Sequence, residues 1–351
     1  MHFAGAHVIV PHVQSAAAAS RRRVLRGLGS AASVLALGGC AGLASNAPRF
    51  DASAIVLDPT LLLATTRKPV DGGRTKPWYG PERASSMTVA RVKLTPPDDG
   101  RFSLASVGLV DWQIEKIEPT GQIGDLIPPT AGGHDVLLYV HGYNTTFETA
   151  VLDAARLSDG IKFVGDTMAF SWPSRASLLD YGYDRESALW SRDSLQQVLD
   201  GLIANQVVGH VHIVAHSIGT MLTMEALRQL YAQLGEAAVN RIGSIVFASP
   251  DIDMDGFASS VKRIGPLAGK ITVVTATTDR ALAVSRWIAG GITRVGAAEG
   301  EQLTRMGIRV IDASKQGWGI INHDLFLSNA QVRKVIRNAI DGNPGASASA
   351  G

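Results

Sequence analysis

A single cysteine, Cys40, stands in 351 residues. No disulfide can close within one chain, and no cysteine nucleophile is available to the part expected to fold. Charge of one sign is missing too. The formal net charge is +2, from 33 basic and 31 acidic side chains. Four of the basic groups, Arg21, Arg22, Arg23 and Arg26, fall in residues 1–39, which hold no acid; removing them leaves 29 basic against 31 acidic groups. Such a balance casts no long-range field toward phosphate-rich partners, so nucleic acid is not an expected ligand. The weakly apolar run 27–39 falls well short of the roughly 20 residues a bilayer requires. No internal repeat is visible. No phosphate-binding loop or dinucleotide fingerprint occurs, since Gly27-Leu28-Gly29 has no strand before it, and no cofactor is expected. What remains, with nearly half the residues apolar and 18% charged, is the composition of a globular protein.

The N-terminus carries an address rather than a fold. Ser20-Arg21-Arg22-Arg23-Val24-Leu25-Arg26 has the pattern of a twin-arginine export signal. The small-residue run after it ends in Leu37-Gly38-Gly39-Cys40, which has the pattern of a lipobox, with Cys40 lipidated and becoming the mature N-terminus. The reading is an export signal over 1–39, a linker over 40–53, one domain over 54–341 and a disordered tail over 342–351. The expected location is the periplasm or the face of the outer membrane, with membrane contact only through Cys40; a cytoplasmic protein with a basic tail is the alternative. Oligomeric state is not legible.

Between the ends, two patterns alternate. Residues 61–65, 88–94 and 112–117 read as strands, as do the short apolar runs 136–140, 167–170, 211–214, 244–247, 271–275 and 308–311. Continuous apolar runs of this length suit parallel strands buried on both faces. Helical patterns lie between them, over 147–158, 178–203, 221–234, 281–287 and 331–340. Repeating strand–helix units imply an α/β fold: a doubly wound, mostly parallel sheet with helices on both faces and functional loops at the strands' C-terminal ends.

Ala215-His216-Ser217-Ile218-Gly219 joins the strand 211–214 to a helix. A nucleophile elbow needs this placement, because a sharp turn lifts the serine oxygen above the sheet and small flanking residues avoid neighbouring backbone. The usual pattern is Gly-x-Ser-x-Gly; Ala215 stands for the first glycine. The alternative is that Ser217 merely caps the helix. A serine hydroxyl needs a base, and in this arrangement the acid and then the histidine follow the serine along the chain. Of nine histidines only His323 follows Ser217. Asp279, after the strand 271–275, is the leading acid; Asp251, after the preceding strand, is its competitor. The Ile218 and Tyr143 N–H groups are the expected oxyanion donors, with Gly142 permitting close backbone approach. His141, Gly142, His216 and Gly219 are supporting residues. Trp172, Trp190, Trp287 and Trp318 are candidates for an acyl pocket or for the core. No metal site is expected: His210-x-His212 with His216 lacks an acid where Val214 stands.

Several stretches together resemble a known family. They are Val136 to Asn144, Phe170-Ser171-Trp172-Pro173-Ser174, Tyr183 to Ala188, Val211 to Gly219, Ala248 to Asp253, Thr278 to Leu282 with His323, and a first strand containing Leu63 to Val70. The chain resembles bacterial α/β-hydrolases of the DUF900 esterase/lipase-like group over roughly residues 60–340. That resemblance implies the α/β-hydrolase fold and serine, aspartate and histidine roles for Ser217, Asp279 and His323. Where family members usually carry a small polar or aromatic residue after the histidine, this chain has Asp324 and Leu325. The function expected is serine hydrolysis of a carboxylic ester, a small-molecule acyl substrate. An acyltransferase or thioesterase with the same triad, and a non-catalytic envelope lipoprotein, are the alternatives.

Overall fold

The computed structural model describes residues 59–97, 111–127, 133–275, 294–297, 300–313, 327 and 329–342. The expected export signal, the linker with Cys40, Asp279, the helix expected over 281–287, His323 and the tail beyond 342 lie outside these residues. Contacts divide the chain into Met1–Ile55 and Val56–Gly351, and everything described belongs to the second unit.

Each segment read as a strand is one. They are β1 (Thr60–Pro69), β2 (Tyr79–Thr95), β3 (Gln113–Thr120), β4 (His134–Val140), β5 (Asp166–Ser171), β6 (Val208–His216), β7 (Ile242–Ala248), β8 (Ile271–Thr275) and β9 (Arg309–Asp312). They form one sheet in the order β3-β2-β1-β5-β4-β6-β7-β8-β9. From β1 to β9 every neighbouring pair is parallel; β2 and β3 add an antiparallel flap at one edge.

The apolar runs sort by alternate residues, as strand geometry requires. Val136, Leu138 and Val140 of β4 face a core shared with Leu199, Leu222 and Phe257. Leu137 and Tyr139 face the opposite core, with Phe147, Val151, Val332 and Ile336. Both faces are therefore covered. Helices α3 (Arg192–Ala204), α4 (Ile218–Leu234), α5 (Glu236–Arg241) and α6 (Met254–Val261) lie on the first; α1 (Phe147–Ile161) and the C-terminal helix Ala330–Ile340 lie on the second. Among the described residues no helix is long and apolar enough to cross a membrane.

The helix expected over 178–203 is two helices, α2 (Tyr181–Trp190) and α3, broken at Ser191. The Ser191 hydroxyl bonds to Ser187 O (2.9 Å), which also accepts the Ser191 N–H (3.1 Å), and pairs with Thr66 Oγ1 (2.9 Å), while the Ser191 backbone takes φ −83° and ψ 0°. Residues 178–180 form a turn instead of a first helical turn. The short α5, α6 and Gly300–Arg305 were not anticipated, for six to eight residues carry too little periodicity.

Chain order and sheet order part company at β4. Strand β5 lies on one side of it and β6 on the other, with α1 leading to the first and α2 and α3 leading back over the opposite face to the second. Such a reversal opens a crevice at the strands' C-terminal ends. His141 follows β4 there, and Ser217 follows β6.

Candidate active site

Strand β6 ends at His216 and α4 begins at Ile218, leaving Ser217 alone to make the turn. It does so with φ 50° and ψ −124°. Helix caps sit in the extended region, whereas this conformation is sparsely populated for a side chain and costs of order 1–3 kcal/mol. The Ser217 side chain makes no capping bond to the helix. Instead the backbone holds the turn: Ser217 N–H donates to Ala248 O (3.0 Å), and Ser217 O accepts from Thr220 N–H (3.0 Å), Thr220 Oγ1 (2.6 Å) and Asp251 N–H (3.3 Å). The side-chain capping role is thereby excluded. The methyl of Ala215 is absorbed in the core beside Ile218, so the departure from the usual glycine is accommodated.

Two glycines let neighbouring loops close on this turn. A Cβ on Gly142 would stand 2.8 Å from His216 Nδ1 and 2.9 Å from Ser217 Cβ; one on Gly219 would collide with His141 O. The loop after β4 is thus pressed against the elbow, which brings His141, Gly142, His216, Ser217, Ile218 and Gly219 together. Tyr143 follows directly, its ring edge-on to Tyr181 with centroids 5.5 Å apart.

His141 is fully buried and stacked on Trp172, with centroids 4.6 Å apart and planes 9° from parallel. Its Nε2 lies 3.0 Å from Trp172 N and 3.1 Å from Trp172 O, and its Nδ1 meets Gly142 O (2.8 Å). Trp172 Nε1 in turn donates to His141 O (2.9 Å). Burial, helped by the charge of Arg67, pushes the imidazole pKa down to about 3. His141 is a neutral strut that sets the Gly142 carbonyl, and Trp172 belongs to this strut rather than to an acyl pocket. Trp190 is on the surface; Trp287 and Trp318 lie outside the described residues.

One group of residues escaped sequence reasoning. Arg67 of β1 is completely buried, and burial lowers its pKa only to about 10, so it stays charged at neutral pH. It donates to Ser171 Oγ (2.9 Å), Ser174 O (2.9 Å) and Thr145 O (2.7 Å). Asp184 of α2, also buried, accepts from Ser174 Oγ (2.5 Å), Arg175 N–H (2.8 Å) and Asn144 N–H (3.2 Å). Burial raises its carboxyl pKa, against those hydrogen bonds and the charge of Arg67. The first-strand stretch, Ser-Trp-Pro-Ser and Asp-Arg-Glu-Ser-Ala thus meet around the loop that carries Tyr143. Their signal was a polar residue set inside otherwise apolar patterning.

Asp251, the competing acid, is 3% exposed and holds Arg294, itself 2% exposed, with Oδ1 3.1 Å from the guanidinium Nε. Its other oxygen accepts from Tyr181 OH (3.0 Å). The carboxylate is therefore shared between a buried cation and a phenol. His210 and His212 lie on β6 away from the elbow: His212 meets Ser244 Oγ (2.9 Å) through Nδ1, and His210 N–H donates to Asp135 (2.7 Å). Among the described residues no group of three or more His, Cys, Asp or Glu is arranged to hold a metal.

An elbow between a parallel strand and a helix, at the sheet's C-terminal edge, defines the α/β-hydrolase class. The chain belongs to the DUF900 family, described as α/β-hydrolases of unknown function, whose profile matches residues 124–339, more than half its length. An uncharacterized protein of Nostoc sp., alr1448, is 25% identical over 126 residues, covering 29% of this chain and 33% of that relative's length. Among solved structures, Est1E from Butyrivibrio proteoclasticus is 11% identical, with a TM-score of 0.40 over 73% of this chain and 95% of its own. The hydrolase olei00960 of Oleispira antarctica is 11% identical, with a TM-score of 0.36 over 61% of this chain and 93% of its own. Identities and scores this low leave the assignment to the family match.

Proposed function

We propose that this protein hydrolyses carboxylic esters through an acyl-enzyme on Ser217. The observation that carries the reading is the strained Ser217 turn: a serine at φ 50° whose side chain serves no cap, with Gly142 and Gly219 admitting the loop after β4 against it. In the proposed sequence His323 takes the Ser217 proton as Oγ attacks the acyl carbon. The Ile218 and Tyr143 N–H groups hold the oxyanion, and the leaving alcohol receives the proton from His323. Water, deprotonated by His323, then cleaves the acyl–Oγ bond and restores the serine. Asp279 orients the imidazole, as the chain order suggests; Asp251, which Arg294 and Tyr181 also hold, is the alternative acid. Residues 1–39 and Cys40 support a second part of the reading, an exported chain held by lipid at the periplasmic or outer-membrane face.

The test is covalent labelling by a fluorophosphonate together with turnover of p-nitrophenyl esters. Ser217→Ala is expected to abolish labelling and to lower kcat by roughly 10⁴ or more. Labelling and turnover that survive this change would overturn the proposal.

A further inference from the structure

The loop between β5 and α2 displays apolar side chains at the same end of the sheet as Ser217. Its base is closed by the ion pair of Arg175 with Asp180 (2.8 Å). Tyr143 OH donates to Ser177 O (3.1 Å), Leu179 N–H donates to Ser177 Oγ (3.3 Å), and Ala176 takes φ 51°. These bonds hold the tip in one shape, and that shape points two adjacent leucines into water: Leu178 is 73% exposed and Leu179 97%. Around the tip runs a strip of rings and cations. Arg175 lies 4.0 Å from the centre of the Tyr183 ring. Arg83 lies 5.6 Å from the same ring and 5.5 Å from that of Trp190, whose indole is exposed.

Protruding leucines beside amphipathic rings and guanidinium groups match the composition that partitions to a lipid–water boundary. Arg83, which has no acidic partner among the described residues, complements anionic headgroups, whereas Arg175 is paired with Asp180; a convex two-leucine tip enters deformable acyl chains without needing a matching pocket. A protein partner is the poorer fit, because two leucines on a protruding tip offer no apolar groove or face for a matching surface to fill. We propose that the strip docks the domain on a lipid surface, with Leu178 and Leu179 among acyl chains and Arg83 at headgroup level. Ser217 then draws a water-insoluble lipid ester from that surface. The docking stands on the strip alone; the ester substrate rests on the reading of Ser217 as nucleophile. This adds a second membrane contact to the one expected at Cys40.

The experiment uses the full chain with Cys40→Ala, so that no lipid anchor contributes, and vesicles of phosphatidylcholine with phosphatidylglycerol. Cosedimentation is expected, weakening with salt, and Leu178→Ser with Leu179→Ser should lower it by about tenfold per leucine. The unchanged melting temperature of that variant would show that the fold is intact. Hydrolysis of a long-chain ester dispersed in the vesicles should fall with it, while p-nitrophenyl acetate is hydrolysed as before. Equal vesicle binding with and without the leucines overturns the docking, as does self-association that the serine variant abolishes. Leucine-dependent binding without any ester turnover would instead leave the docking standing and sink the Ser217 reading.

Discussion

Ser217 pays for its place in backbone strain, and the strain can be measured. Glycine adopts φ 50° without steric cost, though it loses roughly 0.5–1 kcal/mol more chain entropy on folding. Ser217→Gly is expected to be inactive and up to about 2 kcal/mol more stable than the equally inactive Ser217→Ala; urea midpoints compare the two. Equal stability would mean that the turn carries no strain. His141 makes a pH prediction. It stays neutral in the fold down to a pKa of about 3 but takes a proton near pH 6.5 when unfolded. The unfolded state therefore binds more protons below pH 6.5, so stability is fully present above that pH and declines as pH falls toward the folded pKa. Between pH 6.5 and 4.5 this group alone removes about 2 kcal/mol, at roughly 1.4 kcal/mol per pH unit well below 6.5. His141→Gln should flatten the acid limb of the stability profile by that amount, and an unaltered slope would remove His141 from the account.

At the scale of elements, the site is a junction of loops. Non-glycine residues with positive φ follow four consecutive strands: Asn144 after β4, Ala176 after β5, Ser217 after β6 and Ser249 after β7. Backbone strain gathers at functional edges because a rigid scaffold can hold it there. Arg67 is the clamp between these elements, tying β1 to the loops after β4 and β5. Arg67→Met removes the buried cation whose charge Asp184 feels and leaves Ser171 Oγ and the Ser174 and Thr145 carbonyls without its hydrogen bonds, while Asp184 keeps those from Ser174, Arg175 and Asn144. The expected cost is about 3–5 kcal/mol, seen as a melting temperature lower by roughly 10 °C, with a fall in kcat as the Tyr143 loop loses its tie. A variant with wild-type melting and turnover would show that the clamp is idle.

For the whole molecule, strand order and helix placement bring one functional edge into being. The sheet is covered on both faces, and the exchange of β4 and β5 sets the His141 and Ser217 loops side by side. The proposed leader acts before this domain does anything. Replacing Arg21 and Arg22 with Lys should leave precursor in the cytoplasm, and Cys40→Ala should abolish labelling by a radioactive fatty acid. The isolated activity should be the same in both; unaltered targeting and lipid labelling would refute the leader.

Local pattern was enough for much of this. The nine strands among the described residues are legible because short apolar runs and period-two alternation express burial residue by residue, and the Ser217 turn is legible because a strand–turn–helix junction is a matter of five consecutive positions. The break at Ser191 was not; the Ser191 hydroxyl there meets Thr66, 125 residues away. Nor could the sequence separate a serine that caps a helix from one that does not; the φ of Ser217 and its bonds to Ala248 and Asp251 decide that. Arg67 reaches Ser171 across 104 residues and Ser174 across 107. Hydrophobic periodicity reports whether a side chain is buried, whereas which buried polar groups meet is settled only when distant segments are folded onto one another.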